Sequence, residues 1–162
     1  MCRYAPLLAC ASVAAACGDP LSPLPGGAPR ELTYVVDSGL LGTTVDLRLA
    51  GDTVVLTSRY VGPGGVRTTS TVRRVPSAAE WRDFARAAGA AGVRRWPRRC
   101  SDDGLADAGG FSYTLVTGGV RLAGAYYAQS PTAGGRCSST DRADAAAFGR
   151  AVVGLAGVST AD

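Results

Sequence analysis

The chain has 162 residues, 46% of them hydrophobic, and a formal net charge of +4 in which every basic residue is arginine. This length suits one domain with a substantial core, and so mild a charge does not indicate nucleic-acid binding. The sequence contains no histidine, which excludes Ser–His and Cys–His nucleophile pairs and removes the usual zinc ligand. We therefore expect a non-catalytic protein without a metal or a cofactor.

Residues 1–16 have the layout of a cleaved export signal. Arg3 precedes the apolar run YAPLLACASVAAA, which is shorter than the roughly 20 residues that a transmembrane helix needs. Three alanines then precede Cys17, and this arrangement resembles the bacterial lipobox. The resemblance implies that Cys17 is acylated and becomes the first residue of the mature protein. Secretion after ordinary signal-peptidase cleavage, without acylation, is the alternative.

Residues 17–30 are predicted to be the lipidated cysteine and a tether rich in proline and glycine. A segment of this composition holds a domain away from the membrane surface. Gly18, rather than an aspartate, follows Cys17. The resemblance to lipoproteins of two-membrane bacteria then implies the outer membrane in preference to the inner one. The first expected partner is therefore the membrane of a bacterial cell envelope, bound through the lipid.

Residues 31–158 are predicted to form a single α+β domain. The segment TTVDLRLA alternates between apolar and polar residues, as a half-buried strand does, and Ser77 with Glu80 forms a capping box before a run with helical spacing. We expect an antiparallel sheet, made of a four-strand meander and a later β-hairpin, with two helices packed on one face. The predicted elements are strands over 31–37, 43–50, 53–60 and 67–74, a helix from Ser77 to Gly92, a hairpin over 111–117 and 120–128 around Gly118-Gly119, and a helix over about 141–155. The predicted core positions of the helices are Trp81, Phe84, Ala85 and Ala88, and Ala145, Phe148, Val152 and Leu155.

The number and positions of the cysteines are consistent with export. Cys2 and Cys10 would leave with the signal and Cys17 would be acylated, which leaves Cys100 and Cys137. In an oxidising compartment this pair is predicted to form a disulfide that closes a loop of about 36 residues and stabilises the fold by roughly 3 to 4 kcal/mol. Two free thiols are the alternative. Neither cysteine has the CxxC spacing of a redox or metal site.

Asp37 is the candidate for catalysis. It lies in VVDSGLLGTT, where Asp-Ser-Gly after apolar residues resembles the active-site triplet of aspartic proteases. Such a site needs two carboxylates that share a proton, so the resemblance implies a homodimer that contributes Asp37 twice. A turn at the end of a strand explains the same three residues. An aspartic-type hydrolase is therefore an alternative function.

The segment RRWPRRC is a candidate site for an anion or a protein partner. Its four arginines could bind an anionic group by charge while the tryptophan stacks on it. A solvated loop whose tryptophan covers the core is the alternative. The acidic segment SDDGLAD that follows lacks the ligand spacing of a calcium loop. The candidate patch consists of Arg94, Arg95, Trp96, Arg98 and Arg99.

The order of elements is similar to that of the emfourin-like domains. The residues that support the resemblance are Ser38-Gly39 with Gly42 after the first strand, and Asp107 before FSYTL, together with the meander, the capped helix and the final helix. The resemblance covers residues 31–156. Members of that family are small inhibitors of thermolysin-type metallopeptidases, so the resemblance implies an α+β domain that acts by binding another protein.

We expect a lipid-anchored protein of the bacterial envelope whose domain binds a protein or peptide partner through the exposed edge of its sheet. Inhibition is one form that such binding could take. The alternatives are the homodimeric hydrolase built on Asp37 and a purely structural envelope lipoprotein without a ligand site.

Overall fold

The computed structural model describes residues 24–37, 42–94, 99–101, 110–127 and 139–158. These residues form seven strands and two helices, besides one short 3₁₀ turn between the third and fourth strands. The strands are β1 (Glu31–Asp37), β2 (Thr43–Ala50), β3 (Thr53–Val61), β4 (Arg67–Arg74), β5 (Arg99–Ser101), β6 (Gly110–Thr117) and β7 (Val120–Tyr127), and the helices are α1 (Ala78–Ala90) and α2 (Ser139–Gly154).

The seven strands belong to one sheet with the order β4-β3-β2-β1-β6-β7-β5. Every pairing is antiparallel except that of β5 with β7. An antiparallel sheet of six strands with two helices confirms the predicted α+β class and the predicted order of its main elements. The sequence pattern does not predict β5, because three residues are too few to establish an alternation.

Strands β6 and β7 are joined by the predicted turn at Gly118-Gly119. The φ angles of these two glycines are +55° and +77°, in the left-handed region that favours glycine. A two-residue turn of this kind matches the twist of the flanking strands. Thr117 consequently pairs with Val120, and the register continues along both strands.

The core lies between the sheet and the two helices, and Phe148 of α2 is at its centre. The ring is fully buried, and its centroid lies 5.3 Å from that of Tyr113, 6.0 Å from that of Tyr34 and 6.2 Å from that of Phe84. Burial raises the pKa of both tyrosines to about 12. The predicted core positions of the helices are all buried: Trp81, Phe84, Ala85 and Ala88 of α1, Ala145, Phe148 and Val152 of α2, and Leu155 directly after α2.

Helix α1 begins at the predicted capping box. The Ser77 hydroxyl accepts a hydrogen bond from the Glu80 N–H at 3.3 Å, and the Glu80 carboxylate accepts one from the Ser77 N–H at 2.8 Å. These bonds satisfy donors that the start of a helix leaves without intrahelical partners. The helix ends at Ala90, shortly before the predicted stop at Gly92, whose φ is +65°.

Residues 24–30, which the sequence assigns to the tether, pack on the domain. Leu24 is only 6% exposed and belongs to the core. Pro25 lies against Gly118, where a Cβ atom would come within 2.5 Å of the proline Cγ. The N–H of Arg30 donates to the carbonyl of Val116 at 2.8 Å. The folded domain therefore includes this part of the segment.

The face of the sheet away from the helices is polar, and we call it the open face. It carries the odd-numbered residues of β3 and β4 and the even-numbered residues of β2, because the register places these positions opposite one another. On this face Arg48 donates to Asp46 at 2.6 and 2.8 Å. At its rim Arg121 donates to Glu31 at 2.8 Å.

Candidate functional site

Strand β4 is an eight-residue strand at one end of the sheet. Among the described strands it pairs with β3 alone, and its residues are exposed except for Arg74, which is half-buried. The helices cover the neighbouring strand, where Val54 and Leu56 are buried. The helical layer therefore stops short of β4, and both faces of this strand contact solvent.

The hydrogen bonds of the β3–β4 hairpin determine which backbone groups of β4 point outward. The N–H of Gly62 donates to the carbonyl of Val66 at 2.8 Å, and these residues occupy paired positions in the register that joins Val61 to Arg67. In an antiparallel ladder, hydrogen-bonded pairs alternate with pairs that are not hydrogen-bonded. The residues of β4 that bond to β3 are therefore Thr68, Ser70, Val72 and Arg74.

The remaining residues of β4 direct both their N–H and their C=O groups away from β3. The β2–β3 hairpin agrees with this assignment, since its two-residue turn makes Ala50 and Thr53 a hydrogen-bonded pair and leaves the even-numbered residues of β3 for β4. Across the described ranges, no strand pairs with this outer side of β4. The outward-facing residues are Arg67, Thr69, Thr71 and Arg73.

Exposed apolar side chains are concentrated beside this strand. Tyr60 pairs with Thr68, and Val66 and Val75 flank the two ends of β4. Such a concentration is typical of an interaction surface. We call β4 together with Tyr60, Val66 and Val75 the β4 edge. Among the residues that the structure describes, the exposed large hydrophobic side chains are Tyr60 (49%), Val66 (65%), Val72 (37%), Val75 (58%) and Val158 (38%).

Three exposed arginines on or beside β4 form no ion pair with any residue that the structure describes. Arg67 and Arg73 lie on the open face near opposite ends of the strand, and Arg59 of β3 pairs with Thr69, which places it next to Arg67. The open face is therefore positively charged at the β4 edge.

Arg74, the last residue of β4, binds helix α1 and the residue that directly follows α2. Its guanidinium donates to the Glu80 carboxylate at 2.5 Å and to the carbonyl of Leu155 at 3.3 Å. Hydrogen bonds from the Ser77 N–H, the Arg74 guanidinium and the Ser77 hydroxyl lower the pKa of Glu80 to about 2. Arg74 is therefore neutralised by a partner of its own and fixes the end of the edge strand.

A groove of about 250 Å³ lies between α1 and α2. Its two acidic residues already have partners, because Glu80 binds Arg74 and Asp83 accepts a hydrogen bond from Arg86 at 3.0 Å. The remaining lining is apolar or backbone, so no set of free polar groups converges there to orient a ligand. The groove is lined by Glu80, Asp83, Phe84, Ala87, Ala151, Gly154 and Leu155.

Much of the site predicted from the sequence falls on residues outside the described ranges. These include the lipidation residue Cys17, the disulfide residue Cys137, and three members of the candidate anion patch, Arg95, Trp96 and Arg98. Acylation, the disulfide and the anion patch therefore stay predictions.

The described residues of the predicted sites lie in three places. Arg94 follows α1, and its Nε is buried without a hydrogen-bond partner among the residues described. Arg99 and Cys100 lie in β5, where Cys100 is paired with Tyr126 of β7. Asp37 is the exposed last residue of β1, far across the sheet from β4. The structure does not bring these positions together with the β4 edge.

The described residues contain neither a helix long and apolar enough to cross a membrane nor a group of three His, Cys, Asp or Glu side chains that could hold a metal ion. No family model matches the chain, and no curated protein or solved structure matches it either. The resemblance to the emfourin-like domains stays a prediction. The geometry of the β4 edge is therefore the basis on which a function can be proposed.

Proposed function

We propose that this chain is a lipid-anchored protein of the bacterial cell envelope whose domain binds an extended segment of a partner protein along β4. The observation that supports the binding mode is the row of outward-facing peptide groups at Arg67, Thr69, Thr71 and Arg73, with exposed apolar side chains beside it. An extended peptide that adds a strand to a sheet gains affinity from such main-chain groups and specificity from alternate side chains.

The contrast between the two ends of the sheet supports this proposal. The strand at the opposite end, β5, has three residues, and a short edge strand is one way in which proteins avoid unwanted pairing. Strand β4 has eight residues, contains no proline, and pairs with β3 without a bulge. An edge of this length, to which none of the described strands is added, is a template for another strand.

The location is supported by the sequence, through the signal-like residues 1–16 and the lipobox-like alanines before Cys17. Intact mass measured on protein extracted from bacterial membranes tests this part of the proposal. We expect a mass that corresponds to a chain beginning at Cys17, with the added acyl groups and with two hydrogen atoms fewer for a Cys100–Cys137 disulfide. An intact mass that begins at Met1 would refute it.

A proline substitution tests the binding mode. The N–H of Thr71 points away from β3, so Thr71→Pro removes an outward donor without breaking the β3–β4 ladder. Thr71→Val is the matched control, because it changes the same side chain and keeps the N–H. Peptides selected from a random display library on the wild-type domain should bind the valine variant and lose binding to the proline variant. Equal binding to the two variants, both folded by circular dichroism, would refute strand addition at β4.

A further inference from the structure

We propose that the β4 edge selects an acidic segment, in which two carboxylate side chains six residues apart face Arg67 and Arg73. This inference rests on the proposed function and adds the chemical class of the partner. Arg67 and Arg73 are both outward-facing residues of β4 and both lie on the open face. Six residues of strand span about 20 Å. A segment added to β4 has the same rise, so its matching side chains are six positions apart whichever direction it runs.

The charges around β4 favour a carboxylate at both positions. Two other arginines nearby, Arg48 and Arg74, are neutralised, since Asp46 binds Arg48 at 2.6 Å and Glu80 binds Arg74 at 2.5 Å. Arg67 and Arg73 form no ion pair within the described ranges, and Arg59 reinforces the positive charge of Arg67 from the neighbouring strand. Opposite charges on adjacent strands stabilise a pairing and like charges oppose it.

Between the two arginines, the edge offers side chains that suit a β-strand. Thr69 and Thr71 face the open side, where a β-branched or hydroxyl side chain of the partner would meet them. On the other face, Val72 is 37% exposed and lies at the rim of the helical layer. An apolar side chain of the added strand would extend this rim. The expected segment is therefore acidic at its two ends and β-branched between them.

The same arginines oppose the pairing of β4 with a second copy of this chain. In the symmetric antiparallel arrangement that uses the whole strand, Thr69 of one copy meets Thr71 of the other. Arg67 then lies opposite Arg73 twice. Like charges directly opposite each other destabilise a strand pair. This register of self-pairing is consequently disfavoured, whereas an acidic partner places opposite charges at the same positions.

The affinity of designed peptides tests the inference. The probe is a capped nine-residue peptide that alternates valine with threonine and carries glutamate at positions 2 and 8, so that both glutamates lie on one face. One comparison peptide has lysine at positions 2 and 8, and another has the two glutamates at positions 4 and 6. We expect the first peptide to bind about tenfold more tightly than the lysine peptide, equivalent to about 1.4 kcal/mol, and about threefold more tightly than the peptide with the closer glutamates.

Charge reversal identifies the arginines responsible. The double variant Arg67→Glu, Arg73→Glu should prefer the lysine peptide. The control is Arg86→Glu, Arg150→Glu, which changes the net charge equally at two exposed arginines of the helices, and it should keep the preference for glutamate. If the glutamate and lysine peptides bind equally and both lose binding to Thr71→Pro, charge selection is refuted while strand addition stands.

Two further outcomes would overturn the inference in other ways. If none of the three peptides binds, the proposed function fails together with it. If sedimentation reveals a dimer that Thr71→Pro dissociates, the occupant of β4 is a second copy of the chain. The geometry predicts that the glutamate peptide binds more tightly than the lysine peptide and that the domain is a monomer.

Discussion

Arg74 and Glu80 connect the edge strand to the helical layer. The Arg74 guanidinium lies 2.5 Å from the Glu80 carboxylate and also donates to the carbonyl of Leu155 at the end of α2. One side chain therefore joins β4 to the start of one helix and to the end of the other. Because the described part of the chain places a neighbouring strand on one side of β4 only, this connection holds the end of the strand in the position that an added strand would require.

The carboxylate of Glu80 should make stability depend on pH. Its pKa is lowered from 4.5 to about 2 in the folded state, so the stability that it contributes is present above pH 4.5 and is lost as the pH falls toward 2. Glu80→Gln keeps an acceptor for the capping box and removes the charge. We expect urea unfolding to show that Glu80→Gln is less stable than wild type at pH 7. The difference in the free energy of unfolding between the two proteins should shrink between pH 4.5 and 2.

The control for this experiment is Asp83→Asn on the same helix. Asp83 and Arg86 form an exposed pair three residues apart, and pairs of this kind contribute little. The control should differ from wild type by no more than about 0.5 kcal/mol at pH 7. A Glu80→Gln difference that stays constant down to pH 2 would contradict the role assigned to the carboxylate.

Gly149 should be intolerant of alanine because of Tyr34. A Cβ atom at Gly149 would lie 2.5 Å from the Tyr34 hydroxyl oxygen, and overpacking of this kind costs about 1 to 3 kcal/mol. Tyr34→Phe removes the hydroxyl, so Gly149→Ala should be much less destabilising in that background. Chemical unfolding of the four proteins in this cycle measures the coupling. Gly89→Ala is the control, since a Cβ there meets nothing within 4 Å and alanine favours a helix. Additive effects of Gly149→Ala and Tyr34→Phe would refute the contact.

Leu24 should stabilise the domain although it precedes the first strand. It is buried in the core at 6% exposure, and replacing a buried leucine by alanine costs about 2 to 5 kcal/mol. Gly27→Ala is the matched control, because Gly27 is exposed and has open space around it, and a change within about 0.5 kcal/mol is expected. Thermal unfolding of Leu24→Ala and of Gly27→Ala measures the two effects. Equal stability of the two would mean that residues 24–30 contribute nothing to the fold.

Local patterns in the sequence predict most elements of the fold. The alternation of TTVDLRLA places Leu47 on the buried face, and the spacing of Ser77 and Glu80 identifies the start of α1, as the structure confirms. Both signals involve only a few neighbouring residues, so they can be recognised without knowledge of the tertiary structure. The strand RTTSTVRR has one apolar residue, which is typical of a strand that is exposed on both faces.

The binding edge itself depends on contacts that no local pattern encodes. Strand β4 is at the end of the sheet because β1 pairs with β6, which lies more than 70 residues later in the chain. The bond from Arg74 to Leu155 spans 81 residues. Tyr60 belongs to a residue type of intermediate burial, so its type does not decide where it lies, and it is 49% exposed because the helices do not reach it.

Hydrogen exchange of the β4 amides tests the central claim most directly. In the free domain, the amides of Thr68, Ser70 and Val72 bond to β3 and should exchange slowly, while those of Thr69 and Thr71 point outward and should exchange fast. Saturation with the glutamate peptide should protect Thr69 and Thr71 as well. Strand addition predicts this alternation and its loss on binding. Amides of Thr69 and Thr71 that still exchange fast in the saturated complex would contradict it.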